Sequence, residues 1–92
     1  MSMRRVYVEW IDSYTSTGWR DTDVLDAEPL MCYSIGYLVR DAEDGIVVAA
    51  HLGGDPAKPH QVCGAMTIPR SAVVRLEDLP TSSSASADPA TA

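Results

Sequence analysis

A chain of 92 residues, of which 46% are hydrophobic, is long enough for one small globular domain and argues against disorder along its whole length. Thirteen acidic side chains against seven basic ones give a net charge of −6, which opposes binding to the phosphates of nucleic acids. No apolar run approaches the roughly 18 residues that a membrane-spanning helix needs. We therefore expect a cytoplasmic protein with neither a membrane nor a nucleic acid as its partner.

The first strand is predicted at Val6–Ile11, where β-branched and aromatic residues alternate with a period of two. Val6, Val8 and Trp10 share one face of this strand, and Glu9 marks the other face as the more solvated one. We expect Trp10 to lie in the core rather than to serve as a platform for a ligand.

Residues 12–29 form the longest segment without a regular period, and such segments in a small domain are either functional or disordered. Tyr14 and Trp19 favour function, because disordered linkers seldom contain aromatic residues. A short helical turn is predicted at Asp21–Leu25, with Asp21 as its cap. Two hypotheses stand for Trp19: its indole folds back to close one end of the domain, or it is exposed as a contact residue.

The clearest β-hairpin is predicted at residues 31–52. Its arms are Cys32–Val39 and Ile46–Leu52, and Asp44-Gly45 is expected to supply the positive φ that a tight hairpin turn requires. Gly36, in the middle of the first arm, indicates a sharp bend of the kind that small barrels use to turn a corner.

The remaining chain predicts a loop, two short strands and a tail. Gly53–Pro59 has the composition of a loop, and Gln61–Ile68 has the alternation of a strand. Pro69 suits the start of one 3₁₀ turn, which leads into a last strand at Ala72–Leu76. Residues 81–92 are rich in serine and alanine and lack large apolar side chains, so this tail is expected to be disordered.

The acidic part of the long loop has carboxylates of the kind that bind calcium, at Asp21, Asp23, Asp26 and Glu28. A calcium loop needs oxygen ligands at alternate positions around a glycine. Val24 and Leu25 stand where those ligands and the glycine belong, so we expect a solvated acidic loop instead.

Four residues have side chains that bind zinc: Cys32, His51, His60 and Cys63. Structural zinc sites usually use two close pairs of ligands, whereas Cys32 and His51 stand alone on separate predicted strands. We therefore expect no metal and no cofactor. Both thiols are expected to be reduced, with a Cys32–Cys63 disulfide as the alternative.

No catalytic arrangement is recognised. Ser71 lacks the glycines of a nucleophile elbow, and Gly53-Gly54 lacks the lysine and the helix that follow a phosphate-binding loop. Glu9 and Asp12 have the spacing of ordinary surface carboxylates. The sequence thus predicts a protein that is not an enzyme.

Elimination leaves the long loop as the predicted partner-binding segment. Aromatic side chains beside an arginine are the residue types that anchor protein interfaces and stack on bases. The predicted partner-binding residues are Tyr14, Trp19, Arg20, Asp21 and Asp23.

The order of the predicted elements resembles that of an SH3-like or Sm-like barrel, although the paired glycine and asparagine signature of Sm-like proteins is not found. The stretches Val8–Ser13, Gly18-Trp19, Ser34–Val39 and Gly64–Val74 are similar to those of small uncharacterised proteins of tailed phages and prophages. This resemblance implies an all-β fold, a five-stranded antiparallel SH3-like barrel within residues 1–80, and a phage context.

In that context we expect a non-enzymatic accessory module that binds a host protein in the host cytoplasm, in host take-over or anti-defence. One alternative is an oligomer that sequesters a small nucleotide, for which the scattered arginines would have to converge at a subunit interface. Another is a minor component of the virion.

Overall fold

The computed structural model describes residues 3–55 and 58–80, which form an all-β domain with one five-stranded antiparallel sheet. The strands are β1 (Arg5–Asp12), β2 (Leu30–Asp41), β3 (Gly45–Asp55), β4 (Lys58–Pro69) and β5 (Val73–Asp78). A first 3₁₀ turn (Thr22–Val24) precedes β2, and a second (Arg70–Ala72) joins β4 to β5. The predicted tail, residues 81–92, lies outside the described residues. Within the described ranges, no helix has the length and apolar character that crossing a bilayer requires.

The strands follow the order β4-β3-β2-β1-β5, and the two outer strands are not paired with each other in the described part of the chain. The predicted all-β antiparallel fold and its 3₁₀ turn after Pro69 are confirmed, whereas the predicted closure into a barrel is not. β4 pairs with β3 as far as Asp55 and Lys58, at the far end of their ribbon. The other edge of β4 has no partner strand among the described residues, so the sheet is open.

The core is small and comes from four of the five strands. Its buried side chains are Val6, Val8, Leu38, Ile46, Val48 and Ile68. The predicted inner face of β1 is confirmed, because Val6 and Val8 are buried and the partly buried Trp10 packs against the same cluster. The indole Nε1 of Trp10 donates a hydrogen bond of 3.0 Å to Oγ of Ser34 on β2.

Replacing Ser34 with alanine is expected to lower the free energy of unfolding by about 1 kcal/mol, because the partly buried indole N–H loses its acceptor. Urea unfolding of the parent and the variant measures this difference. Ser71→Ala is the matched control, since Ser71 is exposed. Equal unfolding midpoints for Ser34→Ala and the parent would show that the indole N–H does not depend on this acceptor.

β2 changes its partner near the middle of its length. Its first part pairs with β1, and its pairing with β3 begins only at Tyr37, opposite Ala49. A Cβ on residue 36 would lie 2.6 Å from Cγ1 of Val48 and 2.7 Å from the carbonyl oxygen of Ala49. Glycine is therefore needed at Gly36 because β3 approaches the backbone of β2 closely just before the two strands pair.

The turn between β2 and β3 differs from the prediction. Gly45 has no positive φ, so the expectation that Asp44-Gly45 would supply one is wrong. The turn is instead closed by a hydrogen bond of 2.9 Å from the amide of Ala42 to the carbonyl of Gly45. A Cβ at Gly45 would lie 2.8 Å from the carbonyl oxygen of Ile68, so close packing against β4 explains this glycine.

The predicted Gly53–Pro59 loop is also wrong. β3 continues to Asp55 and β4 begins at Lys58, so most of this segment belongs to the ribbon. Gly54 accommodates a shift of register there with a φ of 105°. Glycines that indicate a loop by composition thus serve an irregular strand pair, because cross-strand pairing outweighs their weak local preference.

Candidate functional site

The long segment between β1 and β2 forms one wall of a cleft of about 790 Å³. The opposite wall consists of the end of β1, at Ile11 and Asp12, and of the second 3₁₀ turn, at Ser71 and Ala72. These two elements are close because Trp10 of β1 pairs with Val73, the first residue of β5. The cleft therefore exists only when residues about 60 positions apart in the sequence come together.

Hydrogen bonds between residues of the loop give it its shape. The hydroxyl of Tyr14 donates 3.1 Å to the carbonyl oxygen of Glu28, which connects the two ends of the loop. The amide of Glu28 donates 3.0 Å to Oδ1 of Asp26. The predicted turn around Asp21–Leu25 is confirmed as the first 3₁₀ turn, although the side chain of Asp21 makes no capping hydrogen bond.

Of the five predicted partner-binding residues, the structure places Tyr14 and Arg20 in the cleft wall. Trp19, Asp21 and Asp23 lie beside the cleft, and all five side chains are exposed. Arg20 forms no hydrogen bond or ion pair within residues 3–55 and 58–80, so its guanidinium group is available to a ligand. Two of the five residues thus line the cleft, and their role in binding a partner stays a prediction.

Trp19 is fully exposed, with a relative exposure of 102%. The hypothesis that its indole closes one end of the domain is therefore wrong. The side chain is exposed, as the other hypothesis requires, and its role as a contact residue stays a prediction. Gly18, with a φ of 86°, precedes Trp19 at the turn of the loop. The indole of Trp19 is not part of the core, whose buried side chains are valine, leucine and isoleucine residues of the sheet.

Two apolar residues of the cleft were missed as site residues. Val24 and Leu25 line the cleft and are more than half exposed. In the sequence they served only to exclude a calcium loop, and their exposure was not predictable from the local pattern. The cleft thus combines apolar side chains with an acidic rim to which Asp12, Asp26 and Glu28 contribute.

Three arginines outside the loop contact carboxylates of their own chain. Nε of Arg4 donates 2.8 Å to Asp78, Arg70 pairs with Asp41, and Nε of Arg75 donates 2.6 Å to Glu77. These three guanidinium groups are paired with carboxylates, and none of the three lines the cleft.

A separate polar cluster lies on the outer face of the sheet. The hydroxyl of Tyr7 donates 2.6 Å to Oε2 of Glu9, and this hydrogen bond raises the pKa of Tyr7 above its ordinary value. Arg75 lies 3.5 Å from the same carboxylate oxygen. Its hydrogen bond to Glu77 is the main cause that raises the pKa of Arg75. These groups satisfy one another and leave the cleft as the stronger candidate site.

Of the residues with zinc-binding side chains, His51 lies opposite Cys63 in the pairing of β3 with β4, and Cys32 lies on β2. In the described part of the chain, no group of three or more histidine, cysteine, aspartate or glutamate side chains is placed to hold a metal ion. Cys32 on β2 and Cys63 on β4 are both free thiols, and β3 lies between their strands. The alternative of a disulfide between them is therefore not realised.

Comparison with known proteins adds no further site information. No protein family, curated protein or solved structure was found that matches this chain. The function is therefore argued from the loop, its cleft and their charges.

Proposed function

We propose that this chain is a non-enzymatic phage accessory module that binds a host protein in the host cytoplasm through the long loop. The observation that carries the proposal is the full exposure of Trp19 beside the cleft. Burying an indole of roughly 150–250 Å² at about 25 cal/mol per Å² contributes roughly 4–6 kcal/mol before the costs of association. A large exposed aromatic side chain is thus a strong anchor for a protein partner.

The chemistry around Trp19 indicates which partner fits. Tyr14, Val24 and Leu25 add exposed apolar area on the same loop. Carboxylates surround this area, with Arg20 as the loop's one basic residue. A complementary surface would offer an apolar pocket for the indole with basic side chains around it, and opposite charges would speed its association with an acidic chain.

The nucleotide-sequestering alternative is supported less well. Phosphate groups need several cationic or N–H donors, and arginine is the preferred side chain for them. Arg4, Arg70 and Arg75 already have carboxylate partners, and only Arg20 lines the cleft. A protein partner would bury the exposed apolar residues around the cleft, which phosphate groups would not do.

We also propose that the domain is an open variant of the SH3-like barrel. Its support is the strand order β4-β3-β2-β1-β5, together with a long first loop and a 3₁₀ turn between the last two strands. In this arrangement the loop, rather than the sheet, is the part free to vary with the partner.

Affinity capture from the lysate of infected host cells tests the binding function. The tagged parent chain is expected to enrich a host protein with a basic surface, identified by mass spectrometry. The double variant Tyr14→Ala/Arg20→Ala should bind that protein about 30-fold more weakly, which corresponds to about 2 kcal/mol for the loss of anchor residues.

Val74→Ala is the matched control, because Val74 is an exposed apolar residue on β5 outside the cleft lining, and it should capture the protein as the parent does. Equal capture by the double variant and the parent would place the site elsewhere. Recovery of a nucleotide or of virion proteins alone would favour the corresponding alternative function.

A further inference from the structure

Within residues 3–55 and 58–80, one edge of the first part of β2 has no partner strand. The amide of Leu38 donates 2.8 Å to the carbonyl of Arg4, so residue 38 directs its backbone groups toward the side of β1. Along an antiparallel strand, successive residues direct their N–H and C=O groups alternately to one side and to the other. Met31, Tyr33 and Ile35 therefore direct their N–H and C=O groups away from β1, toward the side where β3 pairs only from Tyr37 onward.

The side chains along this edge are apolar and exposed. Tyr33 and Ile35 have relative exposures of 64% and 68%, and that of Met31 is 38%. They lie on the outer face, because their β1 partners alternate with the core residues Val6 and Val8. Edges of this kind are sites of further strand pairing unless charges or prolines protect them.

The sequence leaves this edge of β2 unprotected, whereas the two outer strands of the sheet have protected edges. Leu30–Val39 contains no charged residue. By contrast, β4 contains Pro59 near its start and Pro69 at its end, and β5 contains Arg75, Glu77 and Asp78. Proline and charged side chains hinder edge-to-edge pairing, so the edge of β2 is favoured over the edges of β4 and β5.

We propose that a second copy of this chain pairs with this edge, antiparallel, about a two-fold axis at Tyr33. Tyr33 then lies opposite Tyr33 of the other copy, and Met31 lies opposite Ile35. All three residues already direct their N–H and C=O groups outward, so each opposed pair exchanges both backbone hydrogen bonds. The result is one continuous sheet through two copies.

The uncharged edge of β2 is the place where a second copy meets the least electrostatic repulsion. Two chains with a net charge of −6 repel each other, and the repulsion is weakest where the contact segment has no charge. An isologous contact needs a self-complementary surface. Here tyrosine packs beside tyrosine and methionine beside isoleucine, which are favourable cross-strand pairs. This pairing does not depend on what the long loop binds.

Light scattering coupled to size exclusion tests the pairing. The parent should have a concentration-dependent mass that rises toward twice the 9.9 kDa of one chain, and Ile35→Lys should remain at the mass of one chain. Val74→Lys, at an exposed apolar position on β5, is the matched control and should pair as the parent does. Circular dichroism checks that each variant keeps its sheet.

Oxidative crosslinking tests the register. In a chain with Cys32→Ser and Cys63→Ser, the variant Tyr33→Cys should form a disulfide-linked dimer, because opposed Cα atoms lie roughly 5.5 Å apart, within disulfide range. Val74→Cys in the same background should stay unlinked. A parent that is monomeric at every concentration overturns the proposal. A dimer that persists in Ile35→Lys and does not crosslink at position 33 also overturns it, and assigns the contact to another edge.

Discussion

Replacing Ile46 with alanine is expected to lower the free energy of unfolding by about 2–5 kcal/mol, because the substitution leaves a cavity in a well-packed core. Ile46 on β3 is completely buried, and its cross-strand partner Ile68 on β4 is completely buried as well. A domain of this size has a total stability on the order of 4–11 kcal/mol, so the variant loses a large share of it.

Thermal or urea unfolding followed by circular dichroism measures this loss. Val74→Ala is the control, since Val74 is exposed on β5 and its truncation should change the stability by less than about 0.5 kcal/mol. An Ile46→Ala variant as stable as the parent would contradict the assignment of Ile46 to the core. It would mean that the ribbon of β3 and β4 does not hold the domain together.

Replacing Trp19 with alanine is expected to leave the stability within about 0.5 kcal/mol of the parent and to weaken binding of the captured partner by about 30-fold or more. The reason is that the indole is fully exposed, so the folded chain alone loses no packing when it is removed. Isothermal titration with the captured partner, together with thermal unfolding of the variant, separates the two effects.

Trp10→Ala is the informative comparison for Trp19→Ala. Trp10 packs against the core and donates to Ser34, so its loss should destabilise the fold instead of acting on the partner directly. A Trp19→Ala variant with a lowered unfolding temperature would show that the loop packs on the domain in solution. Unchanged affinity in a folded variant would remove Trp19 from the site.

The candidate site was predictable only in part. Tyr14 and Arg20 were identified from residue type and from the length of the loop, and both line the cleft. Ser71 and Ala72 were not, because they reach the cleft only through the pairing of β1 with β5. A pattern confined to neighbouring residues contains no information about which distant turn will form the opposite wall.

The sequence by itself determined that the chain has five strands and which face of β1 is buried, but not the full length of β3 and β4. Alternation of apolar and polar residues is a local property, and a strand with period two has one face to bury whatever its neighbours are. The 3₁₀ turn after Pro69 was equally local, because proline restricts its own φ.

Only the tertiary structure decided whether the sheet closes, where Trp19 points and why Gly36 and Gly45 are glycines. The sheet is open because β4 and β5, its outer strands, do not pair with each other in the described part of the chain. Gly36 and Gly45 are set by the approach of backbone atoms from other strands, at distances that no local pattern records. Trp19 is exposed and the core consists of other side chains, a division that depends on the position of the loop relative to the folded sheet.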